Sequence, residues 1–311
     1  MTLFYTLDLE FSSRFIVNSG GIMEYIKLNN GIDIPMEGFG VFQIRDFDEC
    51  KQSVLDAIKT GYRLIDTAAV YANEEAVGAA IKEAIELGLC SREDLFITTK
   101  LWVQDMKNYE MAEQAILESL KRLGLDYIDL YLQHQSLGDY FSAWRAMEAA
   151  YEKGLLKAIG VSNFYPHILI NFIETVRIKP MLNQVELHPY FSQDTAIEVM
   201  NKYHVVPQAW APLGGGRYSP FEDEMLKCIA DKHQKTIAQV ILRWNVQRGV
   251  VVIPKSVHLK RIQENFDIWD FKLSDDEMKQ INSLDQGYVG TAVKHFTAEF
   301  TESVLSKKIH D

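Results

Sequence analysis

The chain has 311 residues, 47% of them hydrophobic and 24% charged, with a formal net charge of -11 at neutral pH. That balance excludes a disordered or fibrous chain, and so acidic a surface argues against nucleic-acid or anionic-membrane partners, because like charges repel. The only cysteines, Cys50, Cys90 and Cys228, are odd in number and widely spaced, which excludes a disulfide framework and fits a reducing, cytoplasmic setting.

In chain order, residues 1–22 come first. They lack a basic leading region, and Asp8 and Glu10 interrupt their apolar stretch, so a signal peptide fits poorly. Nor does any later apolar run reach the ~18 residues of a membrane helix. A second methionine, Met23, opens a more regular segment. Residues 1–22 are therefore read as an extension without assigned function, and residues 23–311 as one domain.

Tyr25–Leu28 and Ile32–Pro35 flank Asn29-Asn30-Gly31 and predict a β-hairpin. Eight strand-like runs follow: Gly38–Phe42, Arg63–Thr67, Leu95–Leu101, Tyr127–His134, Ala158–Val161, Leu182–Glu186, Val205–Ala209 and Val250–Ile253. Helical stretches lie between them; Asp48–Thr60 and Asn73–Leu87 carry apolar residues at i, i+3, i+4 and i+7. Gly61, Gly88, Gly124 and Gly154 each follow such a stretch, where a helix C-cap is expected. Eight strand–helix units in about 250 residues predict an α/β fold, a (β/α)8 TIM barrel with the N-terminal hairpin closing its bottom. A doubly wound open sheet competes, but it usually carries G-x-G-x-x-G after its first strand, and that motif is missing.

Chemistry in such a barrel sits where the strands end. The second strand ends at Asp66 and continues to Tyr71, the third runs into Lys100, and the fourth into His134. Alternation puts Phe96, Thr98 and Lys100 on one face, and Ile128, Leu130, Leu132 and His134 on another. The four polar groups then converge at the top of the barrel. Taken singly, Lys100 reads as an ion-paired residue, Asp66 as a turn cap and His134 as a core histidine; their matching depth on consecutive strands favours a site. A free tyrosine ionises near pH 10, too high for ready proton exchange, and a lysine ammonium nearby is expected to lower that value. Aspartate would hold the lysine, histidine would orient a carbonyl oxygen, and Tyr71 would act as general acid.

Several stretches strengthen this: GFGVF (38–42), GYRLIDTAAVYANEEAVGAAI (61–81), ITTKLW (97–102), LGLDYIDLYLQH (123–134), GVSNF (160–164), NQVELHPY (183–190), QAWAPLG (208–214) and IPKSVHLKRIQENFDIWDFKLS (253–274). In their order and spacing the sequence resembles the aldo-keto reductase superfamily from about Tyr25 to Asp285, its bacterial-type diketogluconate, glyoxal and prostaglandin F synthase-like members included. The resemblance implies a metal-free catalytic tetrad of Tyr71, Asp66, Lys100 and His134, and reversible reduction of aldehydes or ketones by NADPH.

It also implies cofactor contacts. Ser162, Asn163 and Gln184, with Asp66, would meet the nicotinamide end, and Trp210 would stack on its ring. Gly40, Val41 and Phe42 would line the same cleft. Ala211, Pro212, Leu213, Gly214 and Gly216, in the loop that ends at Arg217, would approach the pyrophosphate, although the glycine run alone reads as a flexible loop. Lys255, Ser256 and Arg261 would hold the adenosine 2′-phosphate, which favours NADPH over NADH, and Glu264 and Asn265 would lie near the adenine. Trp102, His134 and Tyr71 would face substrate. His188, in LHPY, is read as structural.

Two features depart from the family pattern. Gln135-Ser136 stands after His134 where many members have an aromatic residue and then Pro, which implies a wider or more polar pocket. The tail at 288–311 resembles nothing recognisable. The reading is therefore a cytoplasmic carbonyl reductase, a monomer or weak homo-oligomer. Two alternatives stand beside it: alcohol or sugar oxidation as the physiological direction, and a cofactor-binding, redox-sensing module with little turnover.

Overall fold

The computed structural model describes residues 14–18, 21–290 and 292–310; residues 1–13 and 19–20, most of the expected N-terminal extension, lie outside the described residues. Strands β1 (Arg14–Asn18), β2 (Gly21–Lys27) and β3 (Asp33–Pro35) form an antiparallel sheet in that order. The expected hairpin is its second half, with Tyr25 opposite Pro35 and Lys27 opposite Asp33. The expectation stopped short of β1, which adds a third strand at the edge.

Eight parallel strands follow: β4 (Gly38–Gly40), β5 (Leu64–Asp66), β6 (Phe96–Leu101), β7 (Leu130–Gln133), β8 (Ile159–Ser162), β9 (Leu182–Glu186), β10 (Val206–Trp210) and β11 (Val251–Val252). Each pairs with its neighbour in sequence. The ends meet: Val252 N–H donates to Met36 O (2.9 Å) and Gly40 N–H to Pro254 O (3.0 Å), so the sheet closes into the TIM barrel. The helices are α1 (Phe47–Thr60), α2 (Glu74–Glu86), α3 (Tyr109–Leu123), α4 (Tyr140–Glu152), α5 (Pro166–Thr175), α6 (Asp194–Lys202), α7 (Glu224–His233), α8 (Ile237–Gln247), α9 (Leu259–Phe266), α10 (Asp275–Asn282) and α11 (Ala298–Ser306).

Local sequence explains where elements start. Asp46, Asn108, Asp139 and Asp223 accept from backbone N–H groups in the first turns of α1, α3, α4 and α7, supplying partners the helix itself lacks. The fourth barrel strand begins later than its apolar run. Asp129 Oδ2 accepts the Ile97 N–H (2.9 Å) and pairs with Arg92 (2.6 Å), so a side chain stands where a ladder carbonyl would.

The hairpin turn sits beneath the barrel. Asn29 Nδ2 donates to Pro180 O (3.0 Å) and His204 O (3.2 Å), and Asn30 Nδ2 to Lys157 O (3.0 Å). All three carbonyls lie just before β9, β10 and β8, so the turn caps the strands' N-terminal ends. The opposite end carries the C-terminal segment: Trp102 Nε1 donates to Lys307 O (2.8 Å), Ile309 N–H to Gln104 Oε1 (2.7 Å), and His310 Nε2 meets Asp105 Oδ1 (2.6 Å). Among the described residues no helix is long and apolar enough to cross a membrane.

Candidate active site

Asp66 ends β5, and the register sets it beside Thr98, two residues before Lys100 on β6. Lys100 is fully buried. Its ammonium donates to Asp66 Oδ1 (2.5 Å) and Thr67 O (2.8 Å), and stands 3.4 Å from Tyr71 Oη. Tyr71 closes a 3-10 turn, Ala69–Tyr71, that ends at Ala72 in the left-handed region (φ 57°). That short turn carries the phenol back over the end of β6. His134 follows β7, and its ring meets the rings of Tyr71 and Trp102 edge-on, with centroids 5.6 and 5.2 Å away. The Phe42 ring packs against Tyr71 with centroids 4.9 Å apart. The four residues expected at the strand ends thus share one cluster.

The electrostatics differ from expectation on one point. Burial, with the Asp66 charge adding to it, pushes the Tyr71 phenol well above its ordinary range. The Lys100 ammonium, 3.4 Å away, does not offset this. Burial also lowers Lys100 and raises Asp66, each opposed by its partner's charge. His134 is pushed well below its ordinary value by burial first, then by the charges of Lys100, Lys307 and His295. It is therefore a neutral imidazole near neutral pH, and its buried Nδ1 has no hydrogen-bond partner among the described residues.

Ser162, Asn163, Gln184 and Trp210 surround this cluster. Gln184 Nε2 donates to Asp66 Oδ2 (2.8 Å) and Gln208 Oε1 (2.7 Å). Asn163, at φ 62°, donates from Nδ2 to His134 O (3.0 Å) and Ser162 Oγ (3.1 Å), and accepts from Trp210 Nε1 (2.9 Å). Ser136 Oγ donates to Asn163 O (3.3 Å), and Gln135 is buried.

Gly40 lets the first and last strands touch: a Cβ there would lie 2.9 Å from Ile253 O. That contact, with the Gly40 N–H donating to Pro254 O, sets the start of the 40–42 segment against Ile253 and Pro254, which Lys255 and Ser256 follow in sequence. Lys255 and Arg261 are exposed, and neither has a carboxylate within 4.0 Å among the described residues. Asn265 is buried and Glu264 half-buried on the same helix, α9, whose N-terminus has no side-chain cap. Two unpaired cations beside free helix N–H groups suit a phosphate. Ala211, Pro212, Leu213, Gly214 and Gly216 form the loop after β10, where Ala211 and Gly214–Gly216 all have positive φ. A Cβ on Gly214 would strike the Tyr218 ring at 2.6 Å, so glycine is required there.

The profile of the Aldo/keto reductase family matches residues 38–286. This protein belongs to the aldo/keto reductase family. The chain is 47% identical over 266 residues to the Bacillus subtilis (strain 168) glyoxal reductase, an alignment covering 85% of this chain and 94% of that one. It is 45% identical to the Escherichia coli (strain K12) methylglyoxal reductase DkgA, covering 84% and 94%. Among solved structures, a Bombyx mori aldo-keto reductase in complex with NADP superposes with a TM-score of 0.81 at 38% identity, covering 84% of this chain and 92% of that one.

Some residues of this aldo/keto reductase site were not foreseen. Gln208, the second acceptor for Gln184, shares the parity of Trp210 on β10, a signal available in QAW. Glu186 shares the parity of Gln184 on β9, the same kind of signal. It is fully buried, and it binds Arg217, His188 and the backbone of Val293. His295 and Lys307, whose charges act on His134, come from a tail whose sequence gave no indication of its position.

Proposed function

We propose that this protein reduces aldehydes or ketones to alcohols with NADPH, with Tyr71 as the proton donor and small 2-oxoaldehydes within its range. The observation that carries this reading is the buried Lys100, tied to Asp66 and 3.4 Å from the Tyr71 hydroxyl. NADPH, when bound, supplies the hydride. Tyr71, held protonated by its raised pKa, gives its proton to the carbonyl oxygen as charge develops there. The phenolate that remains faces the Lys100 ammonium, which stabilises it; Asp66 keeps that ammonium in place. Neutral His134, with its ring wedged between Tyr71 and Trp102, orients the carbonyl oxygen. Trp102 walls the substrate side. Ser162, Asn163 and Gln184 would hold the nicotinamide amide, Trp210 would pack on its ring, and the 211–217 loop would cover the pyrophosphate.

The expected test is NADPH consumption with a small panel that includes glyoxal, methylglyoxal and a keto sugar. Turnover on 2-oxoaldehydes is the expected result. Tight NADPH binding without turnover on any carbonyl would instead favour a redox-sensing module. The names borne by the bacterial relatives support the 2-oxoaldehyde assignment.

Lys255, Ser256 and Arg261 hold the 2′-phosphate in this reading. Replacing Arg261 with Ala is expected to weaken NADPH about 10- to 100-fold, the worth of a hydrogen bond between charged groups. NADH, which has no such phosphate, should be far less affected; isothermal titration with both cofactors checks this, and equal losses would sink the assignment. Residues 1–22 contribute nothing to catalysis, so deleting them should leave kcat and KM as they are. A folding defect in the truncated chain would overturn that view. The protein is assigned to the cytoplasm as a monomer or weak homo-oligomer without nucleic-acid partners, in keeping with its acidic charge.

A further inference from the structure

Glu186 ends β9 with no exposed surface, and both of its carboxylate oxygens are used by segments far apart in sequence. Oε1 accepts from Arg217, at the end of the loop after β10, and lies 3.2 Å from His188 Nε2. Oε2 accepts the Val293 N–H at 2.7 Å, where the C-terminal segment begins its path toward His134 and Trp102. Arg217 also lies over the Trp210 ring, 5.2 Å from its centroid. Beyond Val293, His295 meets Tyr165 Oη (3.2 Å), and the segment ends on Trp102, Gln104 and Asp105.

We propose that Glu186 is a positioning residue that ties the 211–217 loop to the C-terminal segment, so that seating of NADPH and closure of that segment favour each other. The proposal rests on the reading above that this loop covers the cofactor. The physical argument concerns one buried charge. Burial alone would raise the Glu186 carboxyl, but the bonds from His188 and Val293 and the Arg217 charge outweigh it and keep the group ionised. If the loop swings out, Arg217 leaves, and a buried carboxylate loses its only lysine or arginine partner among the described residues. It then takes up a proton or turns toward water. Either change weakens its acceptance of the Val293 N–H, because a hydrogen bond to an ionised acceptor is the stronger kind. The three successive positive-φ glycines, Gly214–Gly216, give the loop the freedom to make this movement. By linkage, the effect must run equally in the other direction.

The test is hydrogen exchange of the 293–306 amides with and without NADPH, in wild type and in Arg217→Met, with cofactor binding followed separately by fluorescence. NADPH should slow exchange in the wild-type segment about fivefold or more, the lower range of measured couplings. Arg217→Met saturated with NADPH should show no such slowing. Reciprocally, Val293→Pro removes the N–H on the tail side while leaving Glu186 and Arg217 in place, and NADPH should leave that variant about fivefold faster in stopped flow. Equal slowing in wild type and Arg217→Met, no slowing in wild type that binds NADPH, or a wild-type release rate from Val293→Pro would each overturn the proposal. If Arg217→Met binds no NADPH, the release rate from Val293→Pro decides alone. Wild-type protein that fails to bind NADPH at all would overturn the cofactor reading, and the proposal with it.

Discussion

Replacing Tyr71 with Phe should lower kcat for carbonyl reduction by about 10²–10⁴-fold, the usual worth of a general acid, while NADPH still binds. The substitution is clean because the ring keeps its packing: Phe42 lies 4.9 Å away and His134 5.6 Å, and neither contact involves the hydroxyl. The pH dependence has a definite sign. An acid donates only while protonated, and the Tyr71 phenol is raised above its ordinary range, so its donating form is fully present at neutral pH. His134 is lowered, so its neutral form is also present there. Log kcat for reduction should therefore be flat across neutral pH and fall only above pH about 10, the ordinary phenol value. A break near neutrality that disappears in Tyr71→Phe would show that the phenol titrates much lower than its burial allows. Full activity in Tyr71→Phe would remove it as the proton donor.

Much of this arrangement could be read from the sequence because barrel chemistry is ordered along the chain. Alternation along the strands carries Lys100 and His134 to the same end as Asp66, and the strand–helix periodicity counts the units. What could not be read has physical causes. The sign of the Tyr71 shift is set first by burial and then by the Asp66 charge, and neither the depth of the phenol nor the 2.5 Å contact that holds Asp66 on Lys100 is encoded in spacing. The late start of β7 follows from Asp129 replacing a ladder carbonyl, a tertiary contact with Ile97 and Arg92. The tail was opaque for a different reason. Its course depends on single hydrogen bonds to Gln104, Asp105 and Glu186, residues about 100 to 200 positions away, and no periodicity marks such partners. Glu186 itself was within reach, since it follows Gln184 by two residues on the same face of a buried strand.

Lys100→Met tests whether the buried ion pair serves catalysis or only the fold. Methionine matches the length of lysine but leaves Asp66, 2% exposed, with Gln184 Nε2 as its remaining side-chain donor among the described residues. Removing one partner of such a pair costs about 3–5 kcal/mol, because the other charge stays buried and uncompensated. Burial then drives Asp66 to take up a proton. Its folded pKa rises above the unfolded one, so stability is retained at low pH and lost as pH climbs through the folded value. Urea unfolding should accordingly show a larger deficit at pH 8 than at pH 5. The double variant Asp66→Asn/Lys100→Met removes the stranded charge and should recover most of the stability, because the two sites interact directly. It should not recover kcat, since the Tyr71 phenolate left after proton transfer would then face no ammonium at 3.4 Å. Recovery of stability and activity together would mean that the pair only holds the barrel shut. A single variant as stable as wild type at both pH values would mean that Asp66 never carried the buried charge this mechanism places on it.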